Sequence, residues 1–110
     1  MIRRHTLIVN SERAPSVEFD PACGAVYVRF SSKPVHKTLE READEMIVTV
    51  DLDKNGGVVG IEAIGFEEFS LAQIMRAAKV RADRVDFSKA RFRGTPRQVE
   101  SGELVAAEKS

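Results

Sequence analysis

Residues 51–62 read Asp-Leu-Asp-Lys-Asn-Gly-Gly-Val-Val-Gly-Ile-Glu and carry oxygen donors at the spacing of a calcium loop. Asp51, Asp53 and Asn55 occupy the first three ligand positions, Gly56 the sharp turn and Glu62 the bidentate position. A loop of that kind wraps its ion between two helices, because the ligands must converge from a curved chain. Here the flanks alternate apolar and polar residues with period two on both sides. Asn55-Gly56 is also a favoured two-residue hairpin turn. A β-hairpin is therefore expected, with Asp51 and Glu62 held apart on one face and no metal or cofactor. The remaining reactive residue types are few. Cys23 sits in a turn, His36 on the polar side of an extended stretch and His5 near the amino terminus. No residue near Cys23 in sequence marks it as an activated thiol, and two histidines without a neighbouring cysteine make a poor zinc set. Gly56-Gly57 and Gly60 follow a strand but open no helix, so no phosphate loop is formed. An enzyme is not expected.

A second constellation is basic. Arg84, Lys89, Arg91, Arg93 and Arg97 alternate with Phe87 and Phe92, offering charge for phosphates and rings for stacking. The plainer reading packs Val85, Phe87 and Phe92 on the sheet while the cations stay in water, and it is preferred. Nucleic-acid binding through residues 76–97 is kept as the alternative.

The elements that must position these residues follow from their periodicity. Val17 and Phe19 alternate into Asp20-Pro-Ala-Cys-Gly24, a turn, after which Val26, Val28 and Phe30 alternate back. A shorter polar strand is expected at 35–40, and the acidic stretch 40–45 returns the chain. Met46, Val48, Val50 and Leu52 form one strand face, answered by Val58–Ile64. A two-residue Asn55-Gly56 turn sets Leu52 against Val59, Val50 against Ile61 and Val48 against Ala63. Ser70 and Gln73 then make a capping box, with Phe69 and Ile74 as a hydrophobic staple. Leu71, Ile74, Met75 and Ala78 make one apolar stripe of a helix expected over 70–82.

The totals bound the rest. With 110 residues, 43% hydrophobic and 31% charged, the chain is one small soluble domain. No apolar run approaches the ~20 residues of a membrane span, and no signal peptide is legible, so a cytoplasmic location is expected. The formal charge is zero, yet residues 15–69 carry net −6 and residues 76–97 net +6. Mutual neutralisation within a monomer or across a dimer explains that asymmetry without a further partner.

Phe19-Asp20-Pro21, Ala25-Val26-Tyr27-Val28-Arg29, Val50-Asp51-Leu52-Asp53 with Gly56, and Val58-Val59-Gly60-Ile61-Glu62 appear in that order. In this succession the chain, over residues 17–64, resembles the bacterial domain of unknown function 2283. Gly24 stands where that family is expected to carry an acid. The resemblance implies a compact antiparallel sheet without established activity, and some relatives look like partners of small toxin-like proteins, which implies an antitoxin-type role. The expected architecture is α+β: a meander of four or five antiparallel strands with one C-terminal helix on one face. Residues 1–14 form an arm, 15–93 the domain (sheet 17–65, helix 70–82, basic segment 84–93), and 94–110 a mobile tail. Tyr27, Ile47 and Ile64 fall opposite the main apolar stripe. With Asp51 and Glu62 they are the candidate partner-binding residues of a non-enzymatic interaction module, a homodimer or the mate of a small protein.

Overall fold

The computed structural model describes residues 7–9, 13–41, 46–65 and 70–94. Alternating valines make β2 (Ser16–Asp20), β3 (Ala25–Arg29), β5 (Ile47–Leu52) and β6 (Val58–Ile64) amphipathic, since successive side chains leave a strand on opposite faces. With β4 (Lys37–Arg41) and β8 (Arg91–Gly94) they form a six-stranded sheet in the order β4-β5-β6-β3-β2-β8. All neighbours are antiparallel except β2 and β8, which run parallel. One face is the core: Val17, Val26, Val28, Val48, Val50, Leu52, Ile61 and Ala63 are buried there. α1 (Leu71–Ala78) lies against β5 and β6 and buries Ile74 and Ala78 into that same face.

The α+β class and the mainly antiparallel sheet are as expected, but the strand count and the helix position are not. The sheet has six strands, and the helix is followed by more structure. Ser70 caps α1 by accepting from the Gln73 amide at 3.3 Å. The helix stops four residues before Ala82, because Lys79 turns left-handed (φ 59°) and its amide donates to the Arg76 and Met75 carbonyls. That reversal turns Val80 into the core as part of β7 (Val80–Arg81), which pairs in parallel with β1 (Leu7–Ile8). Residues 7–9 are thus tied down and bury Val9. Beyond β7, Val85 is buried, and Phe87, in a 3-10 helix (Phe87–Lys89), meets Phe30 edge to face at 6.2 Å. The basic segment 84–93 therefore contains a helical turn followed by an edge strand. Val35, expected in the fourth strand, precedes it and is exposed.

The β5–β6 hairpin departs from a two-residue turn. Val48 faces Ala63 and Val50 faces Ile61 as expected, but a bulge intervenes and Leu52 faces Val58 instead of Val59. The connection is a five-residue loop held by Asp53. Its carboxylate accepts from the Asn55 and Gly57 amides at 2.8 and 2.9 Å, and its own amide donates to the Gly57 carbonyl. Gly56 takes the positive φ (86°) that this path requires. The bulge keeps the apolar set of both strands on the core face despite the longer loop. The Phe69 staple and most of the acidic return, at 42–45, lie outside the described residues, as do His5, Arg97 and the tail from 95 onward.

Candidate functional site

The second face of the sheet carries the polar chemistry, and among the described residues no element packs on it. The pairing register orders its side chains in three rows across the sheet. Thr38, Asp51, Gly60, Arg29, Ser16 and Arg91 form the first. Glu40, Thr49, Glu62, Tyr27, Glu18 and Arg93 form the second, and Ile47, Ile64, Ala25 and Asp20 the third.

Tyr27 is the centre. Its ring lies over Gly60, so closely that a Cβ on that glycine would stand 2.3 Å from the phenolic oxygen. Only glycine permits this approach. The hydroxyl reaches across β6 and donates to Asp51 Oδ2 at 2.8 Å, while Thr38 Oγ1 donates to Asp51 Oδ1 at 2.6 Å. Arg29 sits over the Tyr27 ring at 5.0 Å, a cation–π contact. Burial pushes the Tyr27 hydroxyl well above the usual phenol range. The hydrogen bond to Asp51 and the charges of Asp51 and Glu62 add to that, and Arg29 opposes it. Tyr27 is therefore a neutral donor throughout the physiological range, and Asp51 is committed to two hydroxyls. Such a set anchors a surface. It offers no free base.

All five residues singled out for partner binding stand on this face. Tyr27 and Glu62 are direct neighbours, Ile47 and Ile64 another pair, and Asp51 is bonded to Tyr27. Ile47 is 56% exposed, although it sits at the end of a central hairpin. The basic candidates are divided. Arg91 and Arg93 project from edge strand β8 onto this face, whereas Lys89 closes the 3-10 helix and Arg84 lies in the turn before it. Thr38, Arg29 and Gly60 were missed by sequence reasoning. A glycine breaking the run Val59-Gly60-Ile61 was the available signal, since glycine inside a strand marks a close approach.

The calcium spacing dissolves in this geometry. Asp51 is bound to Tyr27 and Thr38, and Asp53 is folded onto its own loop, so the two carboxylates face different donors. Backbone amides hold the Asp53 carboxyl below the usual carboxylate range, Gly57 first and Asn55 next, against a partial burial; Lys33, 3.9 Å away, helps. Among the described residues no three His, Cys, Asp or Glu side chains gather into a metal-holding group. Cys23 is exposed, and its thiol points to Asp20 Oδ2 at 3.5 Å. That contact, and then the Asp20 charge, push the thiol up, the opposite of what a nucleophile needs. His36 adjoins the Lys37–Leu52 end of the sheet, whereas Cys23 adjoins the Ala25–Ile64 end, so the two do not meet.

Residues 16–66 match the family described as protein of unknown function, DUF2283. The match covers the resemblance read over 17–64 and spans β2 to β6. The Tyr27–Asp51–Thr38 set and Gly60 thus lie wholly inside the family segment. β1, α1 and β7, which complete the core, and β8, which supplies Arg91 and Arg93, lie outside it. No curated protein and no solved structure matches the chain. Among the described residues no helix is long and apolar enough to cross a membrane.

Proposed function

We propose that this protein is a non-enzymatic protein-interaction module whose contact surface is the second face of its sheet, working as a dimer or in an antitoxin-like pairing with a small protein. One observation carries the reading. A six-stranded sheet leaves a whole face uncovered by any described element, yet that face is ordered by a side-chain network and ends in the exposed Ile47. A single layer covering one face of a sheet leaves the other to solvent or to a partner. Its residues are those of a contact: an aromatic anchor held rigid, an arginine stacked on it and charges at the rim. Light scattering at micromolar concentration is expected to show twice the chain mass, or a second protein copurifying from the native host. A lone monomer in both experiments overturns the reading.

Nucleic acid is the second reading, and Arg91 and Arg93 on the same face as Arg29 favour it. It requires binding to single-stranded nucleic acid that weakens steeply with salt and is lost on reversing those two charges. Glu40, Asp51 and Glu62 share the face and repel phosphates, so protein contact is preferred.

A further inference from the structure

The charges on the open face are divided unevenly among its strands. Among the described residues, β4, β5 and β6 present Glu40, Asp51 and Glu62 and no base, net −3, while β3, β2 and β8 present three bases, Arg29, Arg91 and Arg93, against Glu18 and Asp20, net +1. The face therefore carries an electrostatic dipole running across the strands. Resting on the interaction reading above, we infer that its occupant is a second copy of this chain, docked face to face about a two-fold axis that runs along the strands.

Symmetry decides the axis. A two-fold in the plane of the face can run along the strands or across them. Across them, every strand stacks antiparallel on its own copy, so the acidic strands β4, β5 and β6 meet acidic strands and the arginines of β8 meet those of β8. Along them, the strand order is reversed on the facing copy: β4 lies over β8, β5 over β2 and β6 over β3. The register then sets Glu40 on Arg93, Thr38 on Arg91, Asp51 on Ser16 and Glu62 on Tyr27 beside Arg29. Ile64 meets Ala25, Thr49 meets Glu18 and Ile47 meets Asp20, and no acid meets an acid. Twisted sheets pack with their strands about 30° apart, which slides the edges by roughly one or two residues. Arg91 points to this face as well as Arg93, so a slide toward it leaves Glu40 a cationic partner.

The size is adequate for a reversible dimer. Strands spaced about 4.8 Å and rising about 3.3 Å per residue give six five-residue strands a face of roughly 29 by 17 Å, about 1,000 Å² over two copies. That is the low end of specific interfaces, where micromolar association is usual and opposite charges set orientation more than strength.

Sedimentation equilibrium of the full chain tests this with Glu40→Arg, with the double variant Arg91→Glu/Arg93→Glu, and with an equal mixture of the two. Each variant alone sets like charges together at both edges, and a rise in dimer dissociation constant of tenfold or more is expected. In the mixture the substituted β4 of one copy meets the substituted β8 of the other, and the two native edges also meet. Heterodimers are therefore expected at near wild-type affinity. The wild-type dimer should also weaken at least tenfold between about 0.05 and 0.5 M salt, a readout independent of whether the variants fold. A wild-type dimer indifferent to salt, or to the reversals in folded variants, overturns this two-fold while leaving the interaction reading standing. A monomer at every concentration overturns the second copy as occupant, and copurification then decides the broader reading by itself.

Discussion

Tyr27 shows how one side chain takes its properties from its surroundings. Its ring fills the space a Cβ on Gly60 would need, and its hydroxyl is spent on Asp51. Two consequences are measurable. It is the only tyrosine and there is no tryptophan, so tyrosinate absorbance reports on this residue alone. Folding raises its pKa above the unfolded value of about 10. A raised folded pKa means the stabilisation is complete below pH 10 and is lost as pH climbs toward the folded value. Absorbance at about 295 nm should thus stay phenolic past the pH at which a denatured sample has titrated. A folded chain that titrates near pH 10 contradicts the buried, bonded hydroxyl. The second consequence is that Gly60→Ala should destabilise the fold by about 1–3 kcal/mol through overpacking. In a Tyr27→Ala background that cost should largely vanish, because the obstructing ring is gone; denaturant melts of the four forms give the coupling.

At the scale of elements, the backbone reversal at Lys79 redirects the chain. Its left-handed conformation ends α1, and its carbonyl accepts from the Leu7 amide at 3.0 Å, joining the helix end to β1. A residue with a Cβ is strained at φ 59°, whereas glycine is at ease there. Lys79→Gly is expected to raise stability by about 0.5–1 kcal/mol, seen as a higher denaturant midpoint at unchanged slope. The β5–β6 hairpin teaches the complementary lesson. Its strands and their facing apolar pairs were legible in the alternation of Val48, Val50, Ile61 and Ala63. Its loop was not. The Asn55-Gly56 signal for a tight turn lost to Asp53, whose carboxylate satisfies two amides inside a wider loop and leaves a bulge behind.

Across the whole molecule, residues 80–94, beyond the helix, help to close the fold. β8 borders β2, Phe87 meets Phe30, and β7 holds β1 in parallel. Val9, read as part of an arm, is 3% exposed. Removing residues 1–9 should therefore cost at least about 1.5–3 kcal/mol, the burial of one valine, before the lost hydrogen bonds from Leu7 and Val9 are added. Thermal melts of the full and shortened chains measure this, and an unchanged melting temperature would show that β1 contributes nothing.

By itself the sequence determined what local physics can determine. Period-two alternation specified the central strands and which residues share a face. Asp20–Gly24 specified a turn, and Ser70 with Gln73 a helix start. The same letters carried the likeness to DUF2283, and they placed Tyr27, Asp51, Glu62, Ile47 and Ile64 on the side opposite the core. Tertiary structure alone decided what depends on residues far apart in the chain. Leu7–Ile8 and Arg91–Gly94 are too short to announce themselves, and they become strands only because partner edges at Val80 and Ser16 stand waiting. The Tyr27 ring over Gly60, its bond to Asp51 and the uneven division of acids and bases across the face follow from strand order. Strand order is set by which edges meet when the core closes, and no window along the chain encodes it.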